Sequence, residues 1–185
     1  MHASESIRLT NELAKTKMRF GAIILLPLLL FAGCAGYQLG PTNGLSAGEK
    51  SVQVNSFVNE TLEPRLSEPI TLEVRKRLQQ DGTYKLATHG DGDLILNGVI
   101  VSYDRSGISY QPKDVLTPQD YNLTITARIV AIDRTTGKTN ISQVVKGRTT
   151  VRVGNDLTSA ERQAIPLAAA DLARNAVAAI ADGTW

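Results

Sequence analysis

Tyr121-Asn122-Leu123-Thr124-Ile125-Thr126-Ala127-Arg128-Ile129-Val130-Ala131, followed by Ile132 and Asp133-Arg134-Thr135-Thr136-Gly137-Lys138, decides how this chain folds. Tyr121, Leu123, Ile125, Ala127 and Ile129 alternate with Asn122, Thr124, Thr126 and Arg128. A period of two over this length is a strand with one buried face. Asp133 to Lys138 is a turn, with Gly137 suited to the positive φ that closes a hairpin. Ser142 to Val153 returns as the partner strand. Val145, Gly147, Thr149, Val151 and Val153 share its inner parity, and Lys146, Arg148 and Arg152 share the outer one.

Upstream, Asp93 to Tyr103 is a further strand, apolar at both parities. Leu94, Leu96 and Ile100 lie on one side; Ile95, Val99 and Val101 lie on the other. A strand apolar on both faces is covered on both, by its own domain or by a partner. Residues 104–120, with Gly107, Pro112 and Pro118, are long for a hairpin loop. The strand is therefore expected to pass a bulge near Gly107 toward Tyr110, with the tip at residues 112–118. Before it, Ser51 to Phe57 alternates Val52 and Val54 with Gln53 and Asn55, giving a first strand. Leu66, Ile70, Val74 and Leu78 repeat every four residues and predict a helix over 66–80, with Pro69 in its first turn and Asp81-Gly82 as its stop. Its other face, with Glu73, Arg75, Lys76 and Arg77, reads as solvated surface.

After Gly154-Asn155, Thr158 and Glu161 have capping-box spacing. Ile165, Leu172, Ala176, Val177 and Ile180 form an apolar stripe on a terminal helix that ends at Asp182-Gly183. Pro166 lies deep enough to predict a kink or a restart. The expected fold is an α+β two-layer sandwich: a four-stranded, mostly antiparallel sheet with two helices on one face, in the order β-α-β-β-β-α.

The N-terminal third reads differently. Arg19 opens a dozen apolar residues that end at Phe31-Ala32-Gly33-Cys34. A bilayer span needs about 20 such residues, so this is a secretory h-region with small residues at its cleavage point. Cys34 is the only cysteine, so no intramolecular disulfide explains it. The junction resembles a bacterial lipobox, which implies a covalent lipid on Cys34; the plainer reading is an ordinary signal peptide before an unmodified cysteine. Two or more acyl chains anchor a protein stably. Ala35, rather than Asp, follows the cysteine, a pattern similar to outer-membrane sorting in enteric bacteria. Both Met1 and Met18 fit as the start. The expected organisation is a lipoprotein signal peptide over 1–33, a lipidated flexible tether over 34–50, and a single α+β domain over 51–185.

Residues 1–33 hold four of the 20 basic residues and two of the 18 acidic ones, leaving 16 against 16 in the remainder. The chain's small positive charge thus belongs to the leader and gives no footprint for nucleic acid. The remainder has one histidine, His89, and Cys34 is assigned to the lipid, which argues against a zinc site or a Cys/His nucleophile. Asp91, Asp93 and His89-Gly90 read as turn chemistry. No phosphate-cradling glycine loop and no nucleophile elbow occur. The expectation is a binding or structural protein, not an enzyme, with no cofactor beyond the lipid.

Gly33-Cys34 with Gly36-Tyr37, then Phe57-Val58-Asn59-Glu60-Thr61-Leu62-Glu63-Pro64, then Asp93-Leu94-Ile95-Leu96-Asn97-Gly98, follow one another in order along the chain. This series resembles the LptE family, lipopolysaccharide-assembly lipoproteins of diderm bacteria, over essentially the whole of residues 34–185. The resemblance implies an outer-membrane lipoprotein facing the periplasm. It would plug the lipopolysaccharide translocon β-barrel (an LptD-like partner), assist that barrel's assembly, and contact lipopolysaccharide. Arg128, Lys146, Arg148 and Arg152 form a basic stripe suited to lipid A phosphates; a solvated sheet face with polar cross-strand pairs reads the same residues equally well. The rival function is a periplasm-facing lipoprotein that activates a cell-wall synthase or joins a secretion complex by binding protein. Such a module favours aromatic anchors, and this chain has few aromatics.

Overall fold

The computed structural model describes residues 47–111, 114–153 and 156–182. Its elements are β1 (Ser51–Val54), β2 (Val58–Asn59), α1 (Ser67–Asp81), β3 (Lys85–Ala87), β4 (Leu94–Gln111), β5 (Asp114–Asp133), β6 (Thr139–Arg152) and α2 (Leu157–Ala181). The α+β class and the two packed helices agree with the sequence. The sheet does not: it has six strands and is mixed rather than four-stranded and mostly antiparallel. Its order is β3-β1-β4-β5-β6, with β2 also pairing β4. β4–β5 and β5–β6 are antiparallel; β1–β3, β1–β4 and β2–β4 are parallel.

The two additional strands are hidden in the sequence by their length. β3 is three residues and β2 is two, too short for an alternation to register. β1 and β2 run along the same side of β4 as one bent strand. Three residues lie between Val54 and Val58, whereas two lie between their partners Leu96 and Val99. The additional residue lets Phe57 turn inward over Gly98, where an added Cβ would fall 2.1 Å from the Phe57 ring. Phe57 N donates to Thr71 Oγ1 on α1 at 3.0 Å, so the bend is tied to the helix as well.

The motif segments are accounted for by this corner. Asn59 organises the loop into α1: its Nδ2 donates to Glu63 O at 2.7 Å, and its Oδ1 accepts from Thr61 N at 3.1 Å. Pro64 and the left-handed Arg65 (φ 64°) then deliver the fully buried Leu66. Asp93 latches the start of β1, accepting from Ser51 N at 2.8 Å and from Ser51 Oγ at 2.7 Å.

Leu66, Ile70, Val74 and Leu78 are buried as the spacing predicts, and α1 ends at Gly82 (φ 75°). The opposite face is less solvated than expected. Arg75 donates to Val54 O at 2.7 Å, and Arg77 is half-buried. α2 begins on Asp156, whose side chain accepts from Thr158 N, so Asp156 rather than Thr158 is the cap. Pro166 interrupts nothing: α2 is one element through Ala181. Pro166 removes the donor for the carbonyl of Arg162, but both residues are exposed, where water can serve that carbonyl. The buried Ala168, Ala169 and Leu172 hold the next turns on the sheet. β4 does continue past a register shift at Gly107 to Gln111, as the sequence predicts, but β5 already begins at Asp114, paired with Gln111, so residues 114–118 belong to the strand and not to the expected tip.

The carboxyl of Asp93 is held below its ordinary range, chiefly by the side-chain hydrogen bond from Ser51 and then by the Ser51 amide. Asp133 is held low by the Thr136 amide and hydroxyl. A carboxyl depressed in the folded state stabilises it above the unfolded pKa, and that stability is lost as pH falls through the folded pKa. Unfolding by urea should therefore become easier below about pH 4, and Asp93→Asn should flatten that acid limb. An acid limb identical to wild type would show that the latch contributes nothing.

Candidate functional site

The hairpin of β5 and β6 places the predicted basic residues by register alone. Arg128 pairs with Val144, Lys146 with Thr126, Arg148 with Thr124, and Arg152 with Asp120. These positions lie on the sheet face opposite the helices, whose inner parity holds the fully buried Ile125, Ala127 and Ile129. Alternate residues along a strand stand about 6.8 Å apart, and diagonal neighbours about 7–8 Å. Arg128, Lys146 and Arg148 therefore form one exposed cluster. Arg152 is held apart by its ion pair with Asp120, Nε to Oδ1 3.0 Å. The carboxyl of Asp120 is held below its ordinary range by the hydroxyl of Ser109 first and by Arg152 second. Cys34 lies outside the described residues.

Next to the basic cluster the same face is apolar. Ile95 pairs with Ile132, and Asn97 with Val130. Val99 pairs with Arg128, which in turn faces Val144 across the next ladder. Ile95, Val99, Val130 and Ile132 are only half-buried, and Val144 is 61% exposed. The cover expected on the second face of β4 is not supplied by this domain among the described residues. Both helices lie on the other face. At the far end of the β4–β5 hairpin, Ile108, Tyr110 and Leu116 are also exposed.

A second cluster has no counterpart in the sequence pattern. Arg105 on β4 bonds Glu161 of α2 (Nε to Oε1 2.6 Å) and Glu63 of the β2–α1 loop (3.3 Å), and its guanidinium stands 5.2 Å from the Tyr103 ring centroid. Glu161, read as half of a capping box, is instead this ion-pair partner. Burial, reinforced by the Glu161 charge, pushes the Tyr103 phenol up. The three charged residues come from distant parts of the chain, and no local spacing announces such a junction. Beside it lies a cleft of about 460 Å³ lined by Pro64, Arg65, Arg162 and Ile165 among others.

A family model described as LptE, lipopolysaccharide-assembly, matches residues 49–180. Among solved structures, a hypothetical protein from Chlamydia trachomatis is similar at 12% identity and TM-score 0.51, covering 73% of this chain and 96% of the other. A protein from Xanthomonas campestris is similar at 11% identity and TM-score 0.53, covering 76% of this chain and 88% of the other. These two likenesses concern the fold alone. No curated protein matches the chain.

Proposed function

The chain belongs to the LptE lipopolysaccharide-assembly family, and on that premise we propose that it is a lipid-anchored lipoprotein of the outer membrane, facing the periplasm. In this reading its open sheet face seats against the lipopolysaccharide translocon β-barrel, an LptD-like partner, plugging it and assisting its assembly. The observation that carries the reading is the uncovered apolar strip Ile95, Val99, Val130, Ile132 and Val144 beside Arg128, Lys146 and Arg148. Apolar surface of this kind marks an interaction site when it is contiguous and rimmed by polar residues. The cations next to it suit the phosphates of lipopolysaccharide, with arginine offering bidentate contact. The protein acts by binding, not by catalysis.

Two measurements test this. Photo-crosslinkers at Val99, Val144 and Leu116 should capture a large outer-membrane β-barrel protein, whereas one at Gln79, exposed on α1, should not. Labelled palmitate should enter the wild-type protein, and Cys34→Ser should abolish both the labelling and the outer-membrane fractionation. Capture of no barrel protein from the sheet face would remove the docking reading, and labelling that survives Cys34→Ser would remove the anchor.

A further inference from the structure

We propose that the groove between α1 and α2, closed on one side by the edge strand β6, is a binding site for a phosphate monoester, separate from the open sheet face. The groove has a volume of about 430 Å³. Its lining carries four cations, Lys76 and Arg77 from α1, Arg174 from α2 and Arg148 from β6, against two carboxylates, Glu73 and Asp171.

Both carboxylates are already engaged. Glu73 pairs with Lys76 at 3.2 Å. Asp171 pairs with Arg174 and accepts from the backbone amide of Arg148 at 2.9 Å. Asp171 thus anchors the edge strand to α2 and is not available to the Arg148 side chain in the same way. Among the described residues, neither the Arg77 nor the Arg148 side chain has an acidic partner. The Nε of Arg77 is, moreover, buried with no acceptor.

A guanidinium N–H taken from water without an acceptor is costly, and the cost is removed when an anion supplies one. The Arg77 guanidinium, with Arg148 bordering the same groove from the edge strand, matches the several oxygens of a phosphate. With Lys76 and Arg174 held by their carboxylates, the lining keeps two positive charges in excess, which match the two charges of a monoester better than the single charge of a carboxylate. Ligand sites of small molecules run from about 300 to 1,000 Å³, so the groove admits a sugar phosphate rather than the bare ion only. Helical periodicity assigns Lys76 and Arg77 to solvated surface because it cannot see an edge strand arriving beside them. The inference goes beyond the function proposed above and shares only Arg148 with the open sheet face.

The test uses the full detergent-extracted protein and isothermal titration with glucosamine 1-phosphate, inorganic phosphate, vesicles containing phosphatidic acid, and sodium acetate at matched ionic strength. Glucosamine 1-phosphate should bind, and acetate should not. Arg77→Gln should weaken binding at least tenfold, Arg77→Lys severalfold because it keeps the charge and loses the fork, and Lys138→Gln, in the exposed β5–β6 turn, should leave it unchanged. Arg148→Gln should weaken it as well, but Arg77 is decisive because it has no place on the sheet face. Each variant's ligand-free melting temperature separates lost binding from lost folding. Equal affinity for inorganic phosphate would identify the free ion as the ligand, and tighter binding of the phosphatidic acid vesicles a membrane headgroup; either result supports the site. Binding no tighter than acetate, an Arg77→Gln protein that binds like wild type, or an equal loss in Lys138→Gln would overturn it.

Discussion

Gly147→Ala is expected to destabilise the domain by about 2–3 kcal/mol, at the upper end of what overpacking a core usually costs. Gly147 lies on the inner face of β6, beneath α2. A Cβ built there would lie 2.1 Å from the carbonyl oxygen of Ala168 and 2.5 Å from Leu172 N and Cβ. The obstacle is helix backbone, which cannot rotate aside as a side chain can. The helix would have to lift, and two bonds that clamp it to the strand would stretch with it: Asn175 Nδ2 to Lys146 O at 2.7 Å, and Arg148 N to Asp171 Oδ2 at 2.9 Å. For a domain of this size the loss corresponds to a fall in Tm on the order of 5–10 °C. Thr149→Ala, two residues along the same face, is the comparison and should cost far less. A Gly147→Ala protein with the wild-type urea midpoint would show that α2 does not sit this close.

Phe57→Ala should cost about 3–5 kcal/mol, the range for truncating a buried aromatic. Phe57 is 2% exposed and fills the bend between β1 and β2 over Gly98. Gly98→Ala alone should also destabilise, by about 1–3 kcal/mol, because its methyl would enter the space of the ring. The informative protein carries both changes. With the ring gone, the methyl introduced by Gly98→Ala occupies part of the space the ring leaves. The double variant should therefore be more stable than the sum of the single losses predicts, by about 1 kcal/mol or more. Strict additivity would mean that the two residues do not share the space.

The hairpin from Tyr121 to Val153 was legible because a strand with one buried face writes its own period into the sequence, and Gly137 marks the turn with a φ of 69°. The first helix was legible for the same reason, through Leu66, Ile70, Val74 and Leu78. So was the family, through motif segments whose residues turn out to build a corner: Asn59 shapes the loop, Asp93 fastens β1, and Gly98 receives Phe57. These are local patterns, or short segments in a fixed order, and a linear reading can find them. Tertiary structure alone decided the rest. β2 and β3 exist because neighbouring strands offer them hydrogen-bond partners, not because two or three residues prefer to be extended. Pro166 stays inside α2 because buried alanines hold the helix on the sheet. The basic stripe divided: Arg152 went to Asp120, while Arg148 came to border both the open face and the groove with Arg77. Charges interact through space over a few ångströms, and chain separation says nothing about which of them will meet. Periodicity fixes which face a residue takes, and only the packed fold decides what stands opposite it.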